Sequence, residues 1–167
     1  MNKLLQPNMY VKSVFDIDLL KLKDKGIDSI IVDIDNTLVS WNTKYATENV
    51  INWFKKVKNM GFKICIVSNA TKTRVVKFNE EVKVLAIHRA IKPRKKAFLE
   101  AINKMDTQTF KTAMIGDQIF TDILGGNRVG LFTILVTPLS KKELILTKFI
   151  RKIEKIVLRD ILEEGNR

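Results

Sequence analysis

The sequence predicts an α/β protein built on a parallel sheet with helices on both faces. Short, largely apolar runs rich in β-branched residues recur at 29–34, 63–67, 82–87, 112–115 and 131–136. Such runs suit strands buried on both faces. Between them lie segments whose apolar residues recur every three or four positions, the period of an amphipathic helix. Strands alternating with helices at this spacing call for right-handed crossovers within one sheet.

Taken in order, residues 1–13 read as extended or irregular. From Ser13 to Lys25, Val14, Ile17, Leu20 and Leu22 alternate with charges, which predicts a short helix stopped by Gly26. After the strand at 29–34, Thr43 to Met60 reads as an amphipathic helix. Ala46, Val50, Phe54, Val57 and Met60 face inward, and Lys55, Lys56 and Lys58 face out. Gly61 ends it. The strand Lys63 to Val67 finishes on Ser68 and Asn69, and Thr71 caps a helix carrying Val75, Val76 and Phe78. A strand from Val82 to Ile87 runs into Ile91-Lys92-Pro93. Arg94 to Lys104 is helical, with Ala97, Phe98, Ala101 and Ile102 inward. The strand Thr112 to Ile115 ends on Gly116-Asp117, and a short helix begins near Phe120 and stops at Gly125-Gly126. The strand Leu131 to Val136 is closed by Pro138, and a last helix runs from Lys141 to about Leu162. This organisation predicts a single domain over 1–167, with its core at about 28–140 and a basic amphipathic helix at about 141–162.

Composition narrows the partners. The chain has 167 residues and no run approaching 18 apolar residues, so no transmembrane helix is expected. Its first residues lack the apolar core and cleavage site of a secretory signal. The single cysteine, Cys65, lies inside an apolar run and reads as a reduced, buried thiol of a cytosolic protein. Lys and Arg total 30 against 18 Asp and Glu, a net charge of +12. That balance favours anionic partners: nucleic acid, an anionic membrane surface or phosphorylated substrates. The absence of zinc-ligand spacing, RNA-binding aromatic motifs and internal repeats argues against nucleic acid.

Polar residues gather where such a sheet binds ligands, past the carboxyl ends of its strands. Asp33 and Asp35 follow the first strong strand, Ser68-Asn69 the second, Lys92 the third and Asp117 the fourth. A lone D-x-D is most often a strand end. Two carboxylates so close are costly to bury without a cation between them, and four strand ends sending polar groups to one edge suggest phosphoryl transfer. The four segments DIDNTLV, VSNA, IKP and IGDQIFTD, in this order, resemble the motifs of the haloacid dehalogenase (HAD) superfamily of aspartate-nucleophile phosphatases. The run GDQIFTDILGGNRVGLFTILVTP, with the lead-in YVKSVFDID, is similar to the capless IIIA class that includes phosphatidylglycerophosphate phosphatases. Ala70 departs from it, standing where many members carry a second asparagine.

The resemblance implies a three-layer, Rossmann-like fold with a five-stranded parallel sheet of order 5-4-1-2-3 and no cap domain. It implies that Asp33 is the nucleophile and Asp35 the general acid and base. Ser68, Asn69 and Thr37 serve the phosphate or its loop, and Lys92 is a catalytic cation. A Mg²⁺ ion is held by Asp33, the Asp35 carbonyl and Asp117, with Asp122 in support. Both cap-insertion intervals are too short for a second domain, so the site should be open to a phosphate on a large partner. The expected substrate is an anionic phospholipid, phosphatidylglycerophosphate, met by peripheral contact at the cytoplasmic side of a membrane. The last helix suits such contact: an Ile145, Phe149, Ile153 and Ile156 stripe runs beside seven basic residues. That stripe equally suits packing on the sheet. Two alternatives stand: a phosphatase of soluble, protein or nucleic-acid phosphates, and a non-catalytic module that binds RNA or an assembly partner. His88 and Arg128 receive no role, and Trp41 and Trp53 read as packing residues, Trp41 with the option of lining the site mouth.

Overall fold

The computed structural model describes residues 3–140. Its strands are β1 (Met9–Val11), β2 (Ser29–Val32), β3 (Lys63–Val67), β4 (Leu85–Ile87), β5 (Thr112–Gly116) and β6 (Phe132–Val136). Its helices are α1 (Leu19–Asp24), α2 (Glu48–Asn59), α3 (Lys72–Val82), α4 (Lys95–Lys104) and α5 (Leu124–Val129). All six strands are parallel, in the order β1-β6-β5-β2-β3-β4. The five expected strands keep their expected order. The correction is a sixth: Met9–Val11, expected only as extended or irregular chain outside the sheet, pairs with residues 134–136 and forms an edge. The expected helix at 141–162 lies outside the described residues.

Alternation along each strand divides the core into two layers. Ile30, Val32, Ile64, Ile66, Ala113, Ile115, Ile134 and Val136 pack against Leu22 of α1, Val50, Phe54 and Val57 of α2, and Val75 and Phe78 of α3. Ile31, Cys65, Val67 and Met114 point the other way, against Ala97, Phe98 and Ala101 of α4. Trp53 is buried and meets Phe54 edge-on, with ring centroids 5.2 Å apart, so it is a packing residue. Burial also pushes the Cys65 thiol up to about 12, which keeps it protonated and inert.

Several boundaries differ from expectation for local reasons. The segment 13–25 is not one helix. The Ser13 hydroxyl accepts the Phe15 N–H and closes a 3₁₀ turn at Val14–Asp16, and Asp18 then caps α1 separately. Helix α2 starts at Glu48 because Thr47 caps it. Val82 ends α3 rather than opening a strand, since Lys83 takes a left-handed conformation and Asn79 binds both backbone groups of Val84. Val76 is exposed, while Val82 takes the inward position.

Gly125 and Gly126 do not stop the helix they sit in, which continues to Val129 and is capped by Gly130. They are there for close approach. A Cβ at Gly125 would collide with the Phe98 ring, and one at Gly126 would lie 2.7 Å from Thr133 Cγ2. Gly125→Ala should therefore destabilise the fold by about 1–3 kcal/mol, the usual cost of overpacking. A urea melt would show it, and an unchanged midpoint would contradict this reading of the contact.

Candidate active site

Strand β2 is buried along its whole length and lies between β3 and β5, where the order of the sheet reverses. Open α/β sheets bind ligands at such a switch point. Asp33 extends β2 by one residue, its N–H donating to Ile115 O at 3.0 Å. The chain then hooks back on itself. Ile34 O accepts the N–H groups of Thr37, Leu38 and Val39 at 3.2, 2.9 and 3.3 Å, and Asn36 N–H donates to Val39 O at 2.7 Å. Asn36 sits at φ 62°, a left-handed conformation that asparagine tolerates better than most residues. This hook holds Asp33, Asp35 and Thr37 at one edge of the sheet.

Three elements bring carboxylates together there. Asp33, Asp117 and Asp122 each offer an oxygen within 4.8 Å of the others, and all three are buried. Gly116 makes the room, because a Cβ at that position would strike the Asp122 carboxylate. Asp122 comes from a single π-helical turn, Ile119–Ile123, and its Oδ2 accepts the Gln118 N–H at 3.2 Å. Lys92 reaches the cluster from the β4 side. Its Nζ lies 2.6 Å from Asp122 Oδ1 and 2.9 Å from Asp33 Oδ1. Burial opposes charge on Lys92, yet Asp122 and Asp33 outweigh it and hold the ammonium above its usual range. Burial likewise raises Asp122 to about 6 against the pull of Lys92, with Asp33 adding to the rise. Three buried carboxylates around the one buried ammonium found among the described residues form an excess of negative charge. A divalent cation fits that excess, and Asp33, Asp117 and Asp122 are the side chains that could hold it.

The other expected site residues divide. The Thr37 hydroxyl, expected to serve the phosphate or its loop, donates to Asp117 Oδ1 at 3.1 Å and so fixes a carboxylate. Ser68 is buried at the end of β3, and its Oγ accepts the Ala70 N–H at 3.2 Å. Asn69, expected to bind phosphate, has its amide turned to the backbone of Lys92. Its Oδ1 accepts the Lys92 N–H at 2.7 Å, and its Nδ2 donates to Lys92 O at 3.4 Å. Its side chain thus sets the position of Lys92. Asp35 meets a residue that sequence reasoning missed: Arg74 donates to Asp35 Oδ1 from Nε at 3.2 Å and from Nη2 at 2.9 Å. Burial lifts the Asp35 carboxyl above its ordinary value, and Arg74 pulls against that shift without cancelling it. The available signal was position: Arg74 falls in the first turn after the Thr71 cap of a helix that starts at the site edge. Arg128 is exposed on α5, Trp41 is exposed on the loop after β2, and buried Nδ1 of His88 has no hydrogen-bond partner.

Comparison with known proteins gives the family and the fold. A family model described as HAD-hydrolase-like matches residues 90–163. The chain is 40% identical over 166 residues to the Bacillus subtilis (strain 168) protein named "Probable phosphatase YqeG", covering 99% of this chain and 96% of that one. It is 30% identical over 172 residues to phosphatidylglycerophosphate phosphatase 1, chloroplastic/mitochondrial, of Arabidopsis thaliana. That match takes in 95% of this chain and 49% of the relative, so the chain spans about half of that protein. Among solved structures, a HAD superfamily (subfamily III A) hydrolase from Legionella pneumophila superposes with a TM-score of 0.55 at 19% identity. The match covers 76% of this chain and 75% of that one, a likeness of fold. With near-complete coverage of one relative and the carboxylates gathered at the switch point of the sheet, this chain belongs to the HAD-like hydrolase family, as one of its phosphatases.

Proposed function

We propose that this phosphatase is a Mg²⁺-dependent phosphomonoesterase that works through an aspartyl-phosphate on Asp33 and converts phosphatidylglycerophosphate to phosphatidylglycerol. The observation that carries the chemistry is the contact of Lys92 with both Asp33 and Asp122 inside the buried carboxylate cluster. Lys92 pairs with Asp33 at 2.9 Å and presents positive charge where phosphoryl oxygens must sit. Asp33 attacks phosphorus, and Asp35 protonates the departing alkoxide. Asp35 then takes a proton from the water that hydrolyses the intermediate, so one carboxyl serves both half-reactions. Ser68 donates its hydroxyl proton to a phosphoryl oxygen, and the N-terminus of α3 adds its own partial positive charge. Mg²⁺ held by Asp33, Asp117 and the Asp35 carbonyl, with Asp122 beside it, would neutralise charge on the phosphoryl group.

The surroundings support a lipid substrate. The stretch between β2 and β3 holds one loop and α2, and that between β3 and Lys92 holds α3 and β4, so neither carries a cap. The reading takes the chain as one domain. Trp41, Tyr45, Ile91 and Leu139 are exposed on loops at the same edge of the sheet as the site. Lys44, Arg89 and Arg94 are exposed among them. Leu139 lies beside the catalytic hook, its N–H donating to Asn36 O at 3.0 Å. Aromatic rings and cations so mixed suit the headgroup layer of an anionic membrane. No helix among the described residues is long and apolar enough to cross a membrane, so contact at a cytoplasmic face would be peripheral. The test is phosphate release from phosphatidylglycerophosphate in mixed micelles beside soluble, peptide and nucleotide phosphates, with chelator and with Mg²⁺ restored. The lipid should be turned over fastest, activity should vanish on chelation, and Mg²⁺ should restore it. Preference for a soluble phosphate without lipid turnover would overturn the substrate, and indifference to chelation would overturn the metal.

A further inference from the structure

We propose that Arg74 is a positioning residue for proton transfer, holding one oxygen of Asp35 so that the other carries the proton. The proposal rests on the reading of Asp35 as general acid and base. Its basis is the asymmetry of the contact. Both Arg74 bonds, from Nε and Nη2, fall on Oδ1 of Asp35, and Nη1 donates to Lys44 O at 2.8 Å. The guanidinium is therefore fixed at three nitrogens, between the first turn of α3 and the loop that follows β2.

A carboxylic acid donates through one oxygen and accepts through the other. With Oδ1 already accepting two N–H groups, Oδ2 is the oxygen left to give or take a proton. A carboxyl on a loop would otherwise turn about its own axis, and proton transfer depends on orientation within hydrogen-bond reach. The pair is also unlike a screened surface ion pair of little worth. The Arg74 side chain is 16% exposed and its guanidinium carbon lies 5.8 Å from the centre of the Phe78 ring. In the first half-reaction the Asp33–phosphorus bond forms and the ester P–O bond breaks. The electron pair leaves on the ester oxygen, which takes the proton from Asp35 Oδ2. In the second, Asp35 Oδ2 takes a proton from water as its oxygen bonds phosphorus, and the Asp33–phosphorus bond breaks.

A structural staple through Lys44 O would slow every substrate alike, whereas a proton-positioning role depends on the leaving group. The experiment compares kcat/KM of the full chain and its Arg74→Met and Arg74→Lys variants on p-nitrophenyl phosphate and glycerol 3-phosphate. A nitrophenolate departs without a proton, but an alkoxide needs one. Arg74→Met should lose about 100-fold on the alkyl ester, the scale of general acid catalysis, and far less on the aryl ester. Arg74→Lys should recover part of the difference. Equal losses on both esters, or no loss, would overturn the proposal. If Arg74→Met does not fold, the Arg74→Lys ratio decides alone: a point donor cannot make both bonds, so the alkyl ester must still suffer more. Asp35→Asn on the same two esters separates the layers. If it also lowers kcat/KM equally on both, the acid–base reading itself has failed, and Arg74 falls with it.

Discussion

Asp33→Asn abolishes turnover of every phosphomonoester, lowering kcat/KM by about 10⁴-fold or more, the scale on which loss of a covalent nucleophile is felt. The amide cannot form an acyl phosphate, and nothing else in the site replaces it. Asp122 keeps Lys92 paired at 2.6 Å, so the substitution leaves no buried cation without a partner. It also removes one of three crowded carboxylates, which relieves repulsion. The variant should therefore melt within a few degrees of the parent or above it, since surviving pairing offsets the lost 2.9 Å contact. Activity assays and a thermal melt on the same preparation check both halves. Wild-type-like turnover would remove Asp33 from the chemistry.

Asp35→Asn gives the second large effect, with a different signature. Its amide oxygen can still accept from Arg74, so the hook after β2 keeps its shape, but the side chain no longer exchanges a proton. Steady-state kcat should fall about 10²- to 10⁴-fold. With p-nitrophenyl phosphate, whose leaving group needs no acid, the first half-reaction outruns the second. A burst of nitrophenolate approaching one equivalent of enzyme should then precede the slow phase. A slow rate without a burst would place the defect before the intermediate and deny Asp35 the role of base.

The sequence made the sheet legible because parallel strands buried on both faces leave unbroken apolar runs, as in Ile30–Ile31–Val32. It made the strand ends legible because Asp33, Ser68 and Asp117 follow such runs directly. It left β1 unread: three residues with an outward Tyr10 have no run to show. Val82 misled because a valine at a helix end and one at a strand start look alike in one dimension, and the left-handed Lys83 decides between them. Gly125 and Gly126 read as a stop because their use, contact with Phe98 and Thr133, is set by residues distant in the chain. The site shows the same division. Which residues gather there follows from strand order, but which atoms they bind does not. Thr37 could face phosphate or Asp117, and Asn69 could face phosphate or the Lys92 backbone, with no difference in sequence. Arg74 is the extreme case, one of 30 basic residues, marked out by the two bonds it makes to Asp35.

The central claim is covalent phosphorylation of Asp33, and Asp35→Asn offers the way to catch it. The variant would be mixed with p-nitrophenyl phosphate and Mg²⁺, quenched in acid during the burst, digested and mapped by mass spectrometry. The added mass of one phosphoryl group should fall on the peptide holding Asp33 and be absent when Asp33→Asn is combined with Asp35→Asn. A phosphoryl group on any other residue, or turnover in the parent with no phosphoenzyme at any quench time, would contradict the account.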